Sequence, residues 1–236
     1  MLLTALATGS VAAYAASTLL PVRGIHDWFY RQTLFSSGSD GIALTFDDGP
    51  HPEQTPALLD LLAAADAKAT FFVVGERAAQ HPDIVRRIAR EGHAIGNHSW
   101  SHRWLPGLSS TKIEEELLRC QQVLGDILGQ APCLVRPPYG SRDYRFYRAA
   151  SRLRLTPVLW STDTRDWAGA GERHILGTLS RARQGAIVLM HDGNPRAAAS
   201  LPALRQWFAQ RLGGAHPGMP PTTLLPAQNF HTEGSH

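Results

Sequence analysis

The chain has 236 residues, 43% of them hydrophobic, enough to bury a substantial core in one large domain or two small ones. Its formal net charge of +3 is almost all arginine, Lys68 and Lys112 being the only lysines, and no basic run interleaved with aromatics occurs, which argues against a nucleic-acid partner. Two cysteines, Cys120 and Cys133, are too few for a disulfide framework and too far apart for a C-x-x-C motif, so one bridge or two buried thiols fit equally.

Residues 1–22 carry no charge and are rich in Ala and Leu, with Ala13-Tyr14-Ala15 as a candidate cleavage site. They read as a signal peptide or membrane anchor, although a basic n-region is missing and an N-terminal helix packed on the domain competes. Export or membrane association in a bacterial periplasm or cell envelope is the expectation. A connecting segment follows at 23–38, then a domain at 39–226 and a tail at 227–236. Within the domain, short apolar runs at 41–46, 69–74, 93–96, 133–136, 156–160 and 186–190 are bounded by Gly, Pro, Asp or Asn and predict strands. Helical patterns fall between or after them at 55–65, 83–91, 111–128, 144–153, 172–183 and 200–212. Thr111 followed by Glu114 reads as a capping box, and 222–225 as an irregular last strand among prolines. Such alternation implies a mostly parallel α/β sheet, doubly wound or closed into a barrel, with chemistry at the C-terminal strand ends.

Polar residues gather at those ends. Asp47 and Asp48 close the first strand in T-F-D-D-G-P; Asp-Asp-Gly-Pro is a good turn, but a turn does not need two acids whose repulsion calls for a cation or strong hydrogen bonds nearby. His98 and His102 are spaced four apart, which on a helical turn brings both imidazoles to one side. With Asp48 they make two nitrogen ligands and one oxygen ligand, a plausible catalytic zinc set. His93 reads as structural. Arg136 ends the fourth strand ahead of Pro137-Pro138-Tyr139-Gly140, Asp163 and Asp166 share a loop with Trp167, and His191 ends the sixth strand after Leu189. Each fragment alone is an ordinary turn or loop; their meeting in one cleft is the argument.

The ordered set T-F-D-D-G-P, H-S-x-x-H, R-P-P-Y-G, D-x-x-D-W and L-x-H, over residues 40 to 192, resembles the polysaccharide deacetylase (NodB-homology) family, carbohydrate esterase family 4. The resemblance implies a distorted (β/α) barrel of about seven strands, fewer than the eight of a full barrel. It implies a divalent metal, zinc with cobalt as an alternative, and hydrolysis of N-acetyl or sometimes O-acetyl groups on a glycan. By the same resemblance Asp48, His98 and His102 hold the metal, Asp47 is the general base, and Arg136 pairs with it. The backbone N–H of Tyr139 holds the oxyanion, His191 is the general acid oriented by Asp166, and Trp167 and Leu189 border the acetyl methyl. Asp163 is expected to order its loop. Two other readings keep the fold: hydrolysis of cyclic or small non-sugar amides, and a catalytically silent glycan-binding module. The polymer, whether peptidoglycan, chitin-like oligomer, poly-N-acetylglucosamine or acetylated xylan, and the oligomeric state are not read from the sequence.

Overall fold

In a computed structural model describing residues 33–212 and 222–225, seven strands form one parallel sheet. They are β1 Ala43–Asp47, β2 Thr70–Val73, β3 Ala94–Asn97, β4 Leu134–Val135, β5 Thr156–Pro157, β6 Thr162–Asp163 and β7 Ile187–His191. Helices α1 Gln54–Ala64, α2 Gly75–Gln80, α3 Pro82–Arg90, α4 Ser110–Leu128, α5 Tyr144–Arg152, α6 Glu172–Ser180 and α7 Ser200–Leu212 connect or follow them. The described residues belong to one compact unit, 33–236. The candidate leader at 1–22 and the tail at 227–236 lie outside them. Among the described residues no helix is long and apolar enough to cross a membrane.

The strand order β5-β4-β3-β2-β1-β7-β6 puts β5 and β6 at opposite edges. A flat sheet of this width would hold its edges roughly 29 Å apart at about 4.8 Å per strand. The chain runs from Pro157 to Thr162 in five residue steps, a reach of about 18 Å at most. The sheet therefore curls, and residues 158–161 bridge its open side: this is the distorted barrel the family resemblance implies.

Strand alternation sorts the side chains into two layers. Ile42, Leu44, Phe46, Phe71, Val73, Val188 and Met190 face outward into the larger core, against Leu58, Leu59 and Leu62 of α1, Ile175 of α6 and Trp207 of α7. Ala43, Phe72, Leu134, Val158, Ile187 and Leu225 fill the interior. By the same parity Thr45, Asp47, Leu189 and His191 belong inside, above that apolar layer. Gly96 faces the Phe72 ring so closely that a Cβ there would overlap it.

Several predicted boundaries shift. The cap of α4 is Ser109, whose side chain accepts from the Lys112 N–H, not Thr111; Glu114, expected to complete a capping box, pairs instead with Arg152 at 2.9 Å. The fifth strand stops at Pro157, and β6 and α2 are additional. The segment at 222–225 contributes one bridge, Thr222 to Ile42. Residues 33–37, counted in the connecting segment, are tied to the domain through Leu34 to Val158 and Ser36 to Ala186. Both cysteines are free thiols, and burial pushes Cys120 up to about 12.

Candidate active site

A cavity of about 200 Å³ opens at the C-terminal strand ends, lined among others by Asp47, Asp48, His98, His102, Tyr139, Trp167, Leu189 and His191. Register explains part of this: Asp47 pairs with His191 and Thr45 with Leu189 across β1 and β7. Backbone strain explains more. Seven described non-glycine residues have positive φ; Asp66 and Arg154 follow helices, while Asp48, Ser99, His102, Tyr139 and Arg165 all stand in the loops of the site. Such conformations cost of order 1–3 kcal/mol each and persist only where the surroundings over-determine them.

Asp48 Oδ1 lies 3.0 Å from His102 Nε2 and 3.5 Å from His98 Nε2, and one donor atom from each residue falls within 4.8 Å of the others. The carboxylate oxygen is buried yet has no aligned hydrogen-bond donor. His98 Nδ1 donates to the Arg136 carbonyl at 2.8 Å, so its proton is on Nδ1 and Nε2 presents a lone pair inward. Two imidazole nitrogens and a carboxylate converging on an orphaned oxygen fit a divalent cation. Burial alone would raise the pKa of Asp48; the adjacent His102 and His98 imidazoles outweigh it and hold the carboxyl well below the usual range. The histidines do not share a helical turn, as their spacing predicts. They leave β3 on a loop turned by left-handed Ser99 and His102, with Ser101 pinned to Glu116 of α4.

Arg136 is fully buried in the barrel interior. Its guanidinium donates to Asp47 Oδ1 at 2.7 Å, Thr45 Oγ1 at 2.8 Å and the Leu159 carbonyl at 3.0 Å, and its flat face lies 4.1 Å over the Phe72 ring. The apolar layer thus supports the polar one. Asp47 keeps Oδ2 free of the arginine.

On the facing strand, His191 Nδ1 donates to Asp166 Oδ1 at 2.7 Å. Asp166, fully buried, also accepts from the His191 and Trp167 backbone N–H groups and from Ser200 Oγ. Burial disfavours the imidazolium, but the Asp166 bond and charge, with the charges of Asp47 and Asp48, raise His191 to about 9. Asp163 accepts from the Arg165 N–H and from Trp167 Nε1, the loop-ordering contacts expected of it. Tyr139 and Trp167 stand at the mouth, 65% and 44% exposed, so both are open to a ligand. His93 is structural: Nδ1 accepts from Ala69 N–H at 3.2 Å, and burial lowers it to about 4.

Two lining residues lie outside the sequence motifs: Trp160, whose ring packs against Gly140, and Asn194. Trp160 closes a predicted strand, the one signal that could have found it.

The polysaccharide deacetylase family model matches residues 36–158, just over half of the chain. The chain is 42% identical over 164 residues to a peptidoglycan-N-acetylglucosamine deacetylase of Listeria monocytogenes, covering 68% of this chain but about a third, 34%, of that relative's length. It is 36% identical over 179 residues to a chitooligosaccharide deacetylase of Azorhizobium caulinodans, covering 75% of this chain and 85% of the relative. A solved peptidoglycan N-acetylglucosamine deacetylase, Bc1960, superposes with a TM-score of 0.77 at 34% identity, over 84% of this chain and 94% of that one.

Proposed function

The chain belongs to the polysaccharide deacetylase family, and from that premise we propose that it hydrolyses N-acetyl groups on an amino-sugar polysaccharide such as peptidoglycan, a chitin-like oligomer or poly-N-acetylglucosamine. The observation that carries this reading is the convergence of Asp48, His98 and His102 on one point beside Asp47, with His191 on the neighbouring strand. A divalent cation there, most simply zinc, supplies Lewis acidity to the acetyl carbonyl and to water.

The rest is protein chemistry. Asp47, its Oδ1 held by Arg136, takes a proton on Oδ2 as water adds to the carbonyl carbon. The Tyr139 N–H stabilises the oxyanion. The carbon–nitrogen bond then breaks as His191 Nε2 delivers its proton to the departing sugar nitrogen, giving acetate and a free amine. Asp166 keeps that imidazole oriented and charged. Leu189 and Trp167 border the acetyl methyl, a niche worth about 1–3 kcal/mol per methylene against longer acyl groups. A silent binding module would need neither the buried Asp47–Arg136 pair nor a charged His191.

The test is acetate release from these glycans before and after exhaustive chelation. Activity should vanish with the chelator and return with zinc or cobalt. Full activity in a metal-free sample would sink the reading.

A second expectation concerns pH. Asp166 raises His191, so Asp166→Asn should lower the pKa at which the acid loses its proton, moving the alkaline limb of the rate profile to lower pH. Metal content should be unchanged. An alkaline limb that stays in place would mean the proton comes from another group.

A further inference from the structure

Helix α2, absent from the predicted elements, starts between three loops of the site. Val74 N–H donates to the Gly49 carbonyl at 2.9 Å, beside Asp48. Gly75 and Glu76 N–H donate to the Ser99 and Trp100 carbonyls at 3.0 Å, inside the loop that carries His98 and His102. The Arg77 side chain completes the set. Its Nη1 donates to the Asp48 carbonyl and, at 2.8 Å, to the Gly193 carbonyl, two residues past His191. Gly193 makes this approach possible, since a Cβ there would overlap both Arg77 Nη1 and Asp48 O.

Asp48 needs such a tether. It sits at φ 73, a conformation a non-glycine residue leaves readily unless held, and from that backbone setting its carboxylate reaches both histidines. We propose that Arg77 is a positioning residue for the metal: by clamping the Asp48 carbonyl to Gly193, it fixes the carboxylate ligand against His98 and His102. Arg77 lies outside all five sequence motifs, and its part-buried side chain touches none of the ligand atoms directly. The inference rests on the metal reading above.

Its sign separates it from a plain charge effect. Removing a nearby cation would by itself tighten binding of a divalent metal; removing a clamp loosens it. Zinc affinity is therefore measured by competition with a chromophoric chelator for the unaltered chain, Arg77→Ala and Gly193→Ala, alongside thermal melting of each metal-free chain. Arg77→Ala should bind zinc about 10- to 100-fold more weakly, the loss typical of groups that orient a ligand, with the metal-free melt unchanged. Gly193→Ala keeps the charge but wedges the clamp apart, and should weaken zinc in the same way, so the question stays answerable even if one variant does not fold. Zinc bound as tightly as by the unaltered chain, or a loss of affinity matched by a collapsed metal-free melt, overturns the inference. Absence of zinc binding by the unaltered chain overturns the metal reading instead.

Discussion

Asp47→Asn is expected to lower acetate release by about 10²- to 10⁴-fold while the metal stays bound. The substitution removes the proposed proton acceptor, but its amide oxygen can still face Arg136, and Asp48, His98 and His102 are untouched. Asp48→Asn should fail differently. It exchanges the proposed anionic ligand for a neutral one at the point where both histidines meet a carboxylate oxygen within 3.5 Å, so metal affinity should drop and excess zinc restore part of the rate. No zinc concentration should rescue Asp47→Asn. Bound metal and acetate release, followed through a zinc titration, separate the neighbours: metal lost from Asp47→Asn and kept by Asp48→Asn would reverse their roles.

The second large effect is on stability. Arg136 has no exposed surface, and among the described residues Asp47 is the acid paired with it, while Thr45 and the Val158 and Leu159 carbonyls accept three further hydrogen bonds. Arg136→Met should leave Asp47 as an unpaired buried charge and destabilise the chain by about 3–5 kcal/mol, a fall in Tm on the order of 10 °C. The double variant with Asp47→Asn should recover much of that loss, because no lone charge then remains. Equal Tm values for Arg136→Met and the unaltered chain would mean the pair does not carry its charge in the interior.

What could be read from sequence, and what could not, follows from how far each feature depends on its neighbours. Asp47, Arg136 and His191 stand at ends of apolar strands, so the strand-end rule finds them without knowledge of the barrel. The pairing of His98 with His102 is legible for a reason that does not hold: they stand four positions apart, but left-handed Ser99 and His102, not a helix, bring the rings 5.0 Å apart. Helix α2 has six residues and an exposed Glu76, too little for an apolar period to register. Strand β6 is two residues long and is a strand only because β7 lies beside it. Ser109 and Thr111 are both good caps, and Arg152, a distant residue that engages Glu114, favours the first.

The pairing of Asp47 with His191 has a consequence for how this molecule can diversify. Both residues ride on adjacent parallel strands, whose backbones lie about 4.8 Å apart, so the distance between the proposed base and acid is written into the ladder of main-chain hydrogen bonds. The mouth is built otherwise: the exposed Trp167 stands there on the loop between β6 and α6, outside the sheet. Residues there can be exchanged, lengthened or grafted from a relative without disturbing the ladder. In the proposed reaction, recognition and bond cleavage thus rest on separate parts of the fold, and a different sugar polymer can be accommodated at the rim while the chemistry beneath it stays the same.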